Sequence, residues 1–312
     1  MSMLAAPGRS VVSMADELVN SPILGLGVAA LIWSGNFVVG RALRHSITPL
    51  ALNFWRWTIA LAVLLPLTYG LLVQHRQLLV RHWKLIAGLG LTGIACFHTC
   101  VYLALATTTA ANTALLLSVA PFLIVLASWA VLGERISLPQ VLGIAVSFAG
   151  AMALIAHGSI ESLATLSVGT GELWMLLGVL FWVAYSLLLK RVPKELPQPA
   201  LLTATAMAAV LIMLPFYLWL PSNEGLLSLD RKTVWGILYM ALFPSAVAFL
   251  LWNRGVARIG PSRAGTFIYL IPVFGAILAF AFLGEGLQLY QLGSAAVIFL
   301  GIAAMNWKRA TA

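Results

Sequence analysis

The chain has 312 residues, 62% of them hydrophobic and only 9% charged, with a mean hydropathy of +1.00. A soluble chain carries roughly 25% charged residues. Here apolar runs of about 20 residues, the length that crosses a bilayer, recur nearly end to end and leave no room for a soluble domain. The net charge of +9 comes from basic residues scattered over short breaks, with no Lys/Arg-rich tract and no stacking platform, which excludes a nucleic-acid partner.

The first 20 residues hold one arginine, the pair Asp16–Glu17 and no long apolar core, so they do not fit a cleaved signal peptide. The first span is expected to serve as the insertion signal. Ten apolar segments follow, at about 22–40, 49–73, 83–105, 109–132, 137–156, 171–190, 199–220, 233–254, 261–283 and 287–307. Pro49, Gln198–Pro199 and Pro261 stand where helices should begin, because a missing N–H costs little there. Connections are short except around 157–170 and 221–232, and 157–170 reads as a linker between two halves.

The halves repeat. Leu31–Ile32–Trp33 and Arg41 answer to Leu180–Phe181–Trp182 and Lys190 at an offset of 149, as Leu64–Leu65–Pro66 does to Met213–Leu214–Pro215. Pro121, Leu132–Gly133–Glu134, Gln140, Phe148 and Gly150 answer to Pro272, Leu283–Gly284–Glu285, Gln291, Phe299 and Gly301 at an offset of 151. Five spans per half is odd, so the second half should run through the membrane in the opposite sense. Thirteen basic residues fall on the side of the N-terminus and only Arg41, Arg44, Arg231 and Lys232 on the other, which places both termini in the cytoplasm. The expected fold is an all-α polytopic membrane protein of ten transmembrane helices in a five-plus-five inverted repeat. Its parts are an N-terminal segment (1–21), a first repeat (22–156), a linker (157–170), a second repeat (171–307) and a C-terminal tail (308–312). Opposed halves of this kind mark secondary transporters with a site at the midplane.

This pattern resembles the drug/metabolite transporter superfamily, EamA type. The resemblance rests on Pro121 with Leu132–Gly133–Glu134, on Pro272 with Leu283–Gly284–Glu285, and on Trp33–Ser34–Gly35–Asn36–Phe37 in the first span. Within the superfamily the chain looks most like bacterial exporters of aromatic amino acids. The resemblance implies export of amino acids from a bacterial cytoplasmic (inner) membrane.

His98 and Tyr102 share one helix face deep in an apolar run, and at offset 151 they correspond to Phe249 and Asn253. Ser245, Phe249, Trp252 and Asn253 also fall on one face. These residues either line a cavity or make interhelical hydrogen bonds. Leu105 is expected to face lipid. Trp33 with Asn36, and Trp182 with Tyr185, form a second related pair of faces near mid-membrane, suited to a cavity wall or to interfacial anchoring.

Arg56 is the one basic residue well inside a span. It either snorkels or stacks on Trp55 or Trp57, or it clamps a substrate carboxylate. Pro121, Pro244 and Pro272 should kink their spans, as packing features or as gates, and the carbonyls they free are candidates for a substrate ammonium. Asn112 and Tyr269 are further cavity candidates. Glu134 and Glu285 recur at span ends, in a turn or capping role or as proton relays. Gly143, Ser147 and Ala151 make a small-residue stripe for close helix packing, which a dimer could also use, although a monomer is the simpler expectation.

Cys96 and Cys100, four apart on one helix, suit neither a disulfide nor a metal site, and no Walker sequence is present, so no metal or cofactor is expected. With one possible cation the cavity suits no phosphate, and with no carboxylate at mid-span it is poorly matched to cationic drugs. Broad drug or metabolite efflux is the second reading. An intramembrane lipid-modifying enzyme is a remote third, since His98 has no paired carboxylate or nucleophile. Transport is expected to run down the substrate gradient or to be loosely linked to protons through His98.

Overall fold

The computed structural model describes residues 21–108, 110–155, 169–221, 230–283 and 289–306. The N-terminal segment, most of the 157–170 linker, Glu285 and the C-terminal tail lie outside the described residues. Those described form helices and no strands.

Helix α1 (Pro22–Leu43) starts where the Ser21 hydroxyl accepts the Leu24 N–H at 3.3 Å, with a proline in the first turn. Helix α2 (Pro49–Gln74) likewise opens on its proline. Helix α3 (Trp83–Thr107) contains a π-helical stretch, Gly90–Cys96. The fourth apolar segment is broken at Ser118–Val119 into α4 (Ala110–Leu117) and α5 (Ala120–Leu132), and α6 (Leu138–Ile155) follows. The second half has α7 (Thr170–Leu189), α8 (Gln198–Leu218) and α9 (Arg231–Ile259), the last with its own π-helical stretch, Ala241–Val247. A short turn of helix (Pro261–Gly265) and a 3-10 turn (Thr266–Tyr269) lead into α10 (Leu270–Leu283), and α11 (Leu289–Asn306) closes the fold. Six of these helices, α1, α2, α3, α7, α8 and α9, are long and apolar enough to cross a bilayer.

The two π-helical stretches sit 151 residues apart, the same offset that relates the sequence halves. The breaks before Pro121 and Pro272 are related in the same way, and both prolines stand near the start of the longer helix that follows. The helix contacts also pair across the halves. Helix α1 packs on α9 and α10, α7 on α3, α4 and α5, α2 on α8, and α6 on α11.

The ends of the bundle are tied by polar side chains. Arg41, in the last turn of α1, donates to the Leu105 carbonyl at the end of α3, and Thr108 just beyond donates to Glu172 in the first turn of α7. Thus α1 finishes where α7 begins. At the far end of α7, Lys190 meets Glu134 at 3.0 Å, and the Ser262 hydroxyl donates to the same carboxylate at 3.0 Å. Gly133, in the left-handed region at φ 65°, ends α5 and releases the chain so that Glu134 can reach both partners. The turn in Leu132–Gly133–Glu134 therefore belongs to the glycine, and the glutamate is a tether.

Two sequence expectations need correction. Leu105 does not face lipid; it is buried, and its Cδ1 lies 3.0 Å from where a Cβ on Gly40 would be. Leucines on the outer surface of the bundle are instead residues such as Leu67, Leu211 and Leu300. Arg56 does not snorkel, because its side chain is 0% exposed. The Gly143–Ser147–Ala151 stripe is used inside the chain. The Ser147 hydroxyl donates to the Ile298 carbonyl at 3.3 Å, and Gly150 and Gly301 let α6 and α11 touch backbone to backbone, so this face is not free for a dimer.

Candidate functional site

A π turn spreads the backbone and leaves carbonyls without their usual partners. Around both π stretches, side chains take those carbonyls. Asn53 Nδ2 donates to the carbonyls of Ile94 (3.0 Å) and Ala95 (3.2 Å) in the first. In the second, Pro244 has no N–H for the Met240 carbonyl, and the Ser245 hydroxyl takes it at 2.8 Å. The Pro244 carbonyl itself accepts the Trp33 indole N–H at 3.1 Å. The carbonyls at Pro244 are therefore occupied by the protein and do not stand ready for an ammonium group. The counterpart of Pro244 in the first half is Gly93, where any Cβ would collide with the Tyr185 ring.

One face of α2 serves both stretches, because Asn53 and Arg56 are three residues apart on it. Arg56 Nε donates to Ser245 Oγ at 2.8 Å, while Nη1 donates to Asn36 Oδ1 at 3.1 Å and to the Tyr102 hydroxyl. Its Cζ lies 5.7 Å from the centre of the Trp57 ring, so the expected stacking on an indole is present. Arg56 thus joins α2 to α1, α3 and α9. Among the described residues it has no carboxylate partner, and its Nη2 has no partner at all.

There are two Tyr–Asn pairs, one of them bound to this hub. Tyr102 on α3 donates to Asn36 on α1 at 3.1 Å, and Tyr185 on α7 donates to Asn253 on α9 at 2.6 Å. Between the pairs lies an aromatic cluster drawn from both halves. Trp33 stands 5.4 Å from Trp182, 5.5 Å from Trp252 and 5.7 Å from Phe249, centre to centre. His98 lies 5.5 Å from Phe249 and 4.9 Å from Phe97. Such edge and tilted contacts contribute about 0.5–1.5 kcal/mol each beyond burial.

A cavity opens beside these rings. Trp33, Asn36, His98 and Trp182 line it, together with Phe37, Phe97 and Val101 and, from symmetry-related positions, Leu117 and Ile268. The volume open to the centre of a water molecule is about 20 Å³, room for about one water, so the walls are nearly closed on each other. A larger groove of about 440 Å³ lies between α5 and α6, lined by Phe122, Val125, Val141 and Phe148 among others. It offers no polar side chain to orient a solute, and in a bilayer it suits acyl chains.

The structure thus brings together Trp33, Asn36, Arg56, His98, Tyr102, Trp182, Tyr185, Phe249, Trp252 and Asn253, four of them on the cavity surface and the rest directly behind it. Tyr269 is buried on the 3-10 turn between the lining residues Ile268 and Ile271, and its hydroxyl has no partner among the described residues. The side chain of Asn112 lies outside the described ones. Pro121 and Pro272 are not among the lining residues and stand at the breaks already noted. Sequence reasoning missed Phe97 as a lining residue; the π turn ahead of it shifts the helix register, so that the neighbours Phe97 and His98 both face the cavity. No group of three or more residues suited to a metal occurs among the described residues.

The model of the EamA-like transporter family matches residues 20–156 and 169–307. The chain belongs to the EamA-like transporter family. It is a multi-pass membrane transporter, not an enzyme. This EamA transporter is 31% identical over 252 residues to the uncharacterized transporter YyaM of Bacillus subtilis, covering 80% of this chain and 81% of that one. It is 26% identical over 284 residues to a probable amino-acid metabolite efflux pump of Salmonella typhimurium (88% and 91% covered). It is also 25% identical over 288 residues to a probable terminal-alkyne amino-acid exporter of Streptantibioticus cattleyicolor (92% and 94% covered). A crystal structure aligns with 90% of this chain and 96% of its own at a TM-score of 0.70 and 23% identity, which bears on the fold alone.

Proposed function

We propose that this transporter exports small amphipathic metabolites, foremost amino acids with aromatic or other apolar side chains, across the cytoplasmic membrane by alternating access. The observation that carries this reading is the central cavity, whose wall combines five aromatic rings (Trp33, Phe37, Phe97, His98 and Trp182) with one amide, Asn36. Flat rings suit an apolar solute body, and Asn36 with the groups behind it suits a polar end. The names of the Salmonella and Streptantibioticus relatives favour amino-acid export.

The architecture proposed with it is ten spans in two oppositely oriented repeats, 22–156 and 171–307, with both termini in the cytoplasm. The meeting of the last turn of α1 with the first turn of α7 supports opposed halves, and so does the Glu134–Lys190 contact at the other end of α7. Alternating access is then the separation of walls that touch in the nearly closed cavity. Efflux of cationic drugs is less favoured, since the described carboxylates Glu134, Glu172, Glu195 and Asp230 all stand at helix ends or in loops.

Counterflow of radiolabelled phenylalanine, threonine and a phosphosugar in proteoliposomes tests the reading. Phenylalanine should be carried best, threonine more slowly and the phosphosugar not at all. Transport of the phosphosugar alone would overturn it.

A further inference from the structure

We infer that Arg56 is the specificity-determining residue of the central site: it takes the solute's carboxylate through Nη2, so the carrier selects carboxylate-bearing aromatic metabolites over the corresponding amines and amides. The inference rests on the reading of the aromatic cavity as the substrate site. A guanidinium at 0% exposure inside an apolar bundle is strongly destabilising unless an anion compensates it. Its three partners, Ser245, Asn36 and Tyr102, are neutral, and none of the described residues supplies a carboxylate. Nη2 is left with a donor and no acceptor.

The guanidinium is one side chain away from the cavity. Asn36, which accepts from Nη1, lines that cavity, and so does His98, one turn before Tyr102. When the walls part, a carboxylate entering beside Asn36 meets a planar fork already oriented by three hydrogen bonds, the geometry best suited to it. The repeat explains why one anionic group is recognised and not two. The position related to Arg56 in α8 is Thr205, buried and with its hydroxyl unpartnered among the described residues. The site is therefore cationic at one pole only. For an ammonium group the partners on the cavity wall are the ring faces of Trp33 and Trp182 and the imidazole of His98, whose Nδ1 has no partner among the described residues, weaker attractions than an ion pair. The carboxylate therefore governs selection, and the ammonium is tolerated.

The test is competition against bound radiolabelled L-phenylalanine on the purified full chain, using L-phenylalanine, 3-phenylpropionate, phenylalaninamide and phenethylamine. The two carboxylates should compete at least about tenfold better than the amide and the amine, the preference of a charge-assisted pair over a neutral one. In R56Q the ratio of carboxylate to amide competition should fall to about one, and R56K should keep part of the preference. If R56Q does not fold, R56K decides: a reduced preference supports the role of Arg56 and an unchanged one overturns it. Equal competition by all four compounds, or an unchanged preference in R56Q, overturns the role of Arg56 and leaves the aromatic site standing. Failure of every compound to bind, L-phenylalanine included, overturns both.

Discussion

Tyr185 donates a 2.6 Å hydrogen bond to Asn253, and in the other half Tyr102 donates a 3.1 Å bond to Asn36. The repeat relates Asn36 to Tyr185 and Tyr102 to Asn253, so the same pair occurs twice with its members exchanged. Each pair fastens the first helix of one half to the third. Only the Asn36–Tyr102 pair also holds a charge, which makes the two poles of the cavity chemically different.

Removing these hydroxyls should have unequal effects. Y185F leaves one buried amide oxygen short of a donor, and its coupling to Asn253 in a double-mutant cycle should be about 0.6–1.7 kcal/mol. Y102F also takes an acceptor from Arg56 and should destabilise more. Reversible unfolding in detergent micelles gives both values. Equal losses would mean that Arg56 does not depend on Tyr102.

Gly93 lets α3 approach the Tyr185 ring more closely than any other residue would. G93A should destabilise by about 1–3 kcal/mol, as overpacking does. It should also lower transport, and on a Y185L background, which itself loses the bond to Asn253, the further cost of G93A should largely disappear because the ring it meets is gone. Thermal midpoints of the three variants decide the matter: an undiminished cost of G93A on that background would place the damage in the π turn itself.

The Glu134–Lys190 pair is half-exposed, with side-chain exposures of 30% and 46%, so E134Q should cost less than about 1 kcal/mol of stability. Its importance lies in tying α5 to α7 and, through Ser262, to the turn that leads into α10. E134K should therefore slow counterflow, and the charge-swapped E134K/K190E should recover it. A proton relay would behave otherwise, since the swap removes the carboxylate from its position.

At the α6–α11 contact, a Cβ on Gly301 would come within 2.5 Å of the Gly143 carbonyl and 2.7 Å of the Ser147 nitrogen. G301V should destabilise by about 1–3 kcal/mol. Gly293, on the same helix, has nothing within 4 Å of its Cβ position, and G293V should fall within about 0.5 kcal/mol of the parent. Equal effects would indicate that helix propensity and not contact is responsible.

Much of this architecture was legible in the sequence, because a bilayer allows few alternatives. Apolar runs gave the helices, and prolines at 49, 199 and 261 gave their starts. The repeat placed Trp33 opposite Trp182 and His98 opposite Phe249 before any coordinates, and the rings do meet. What escaped was set by backbone detail. A π turn leaves no mark in hydropathy, so the roles of Asn53 and Gly93 and the inward face of Phe97 were hidden. The burial of Leu105 was missed for a related reason. In a chain where nearly every position is apolar, lipid-facing and packed leucines look alike, and the small partner Gly40 that decides the matter is 65 residues away in sequence.

The central claim is that rings from both halves form the substrate site. Counterflow of labelled phenylalanine in proteoliposomes should fall at least tenfold in W182A and in F249A, roughly the loss of one or two aromatic contacts. It should stay near the parent rate in L211A, whose leucine is 61% exposed on the outer surface of α8. If W182A and F249A fold and carry phenylalanine as fast as L211A, the aromatic cavity is not the transport site.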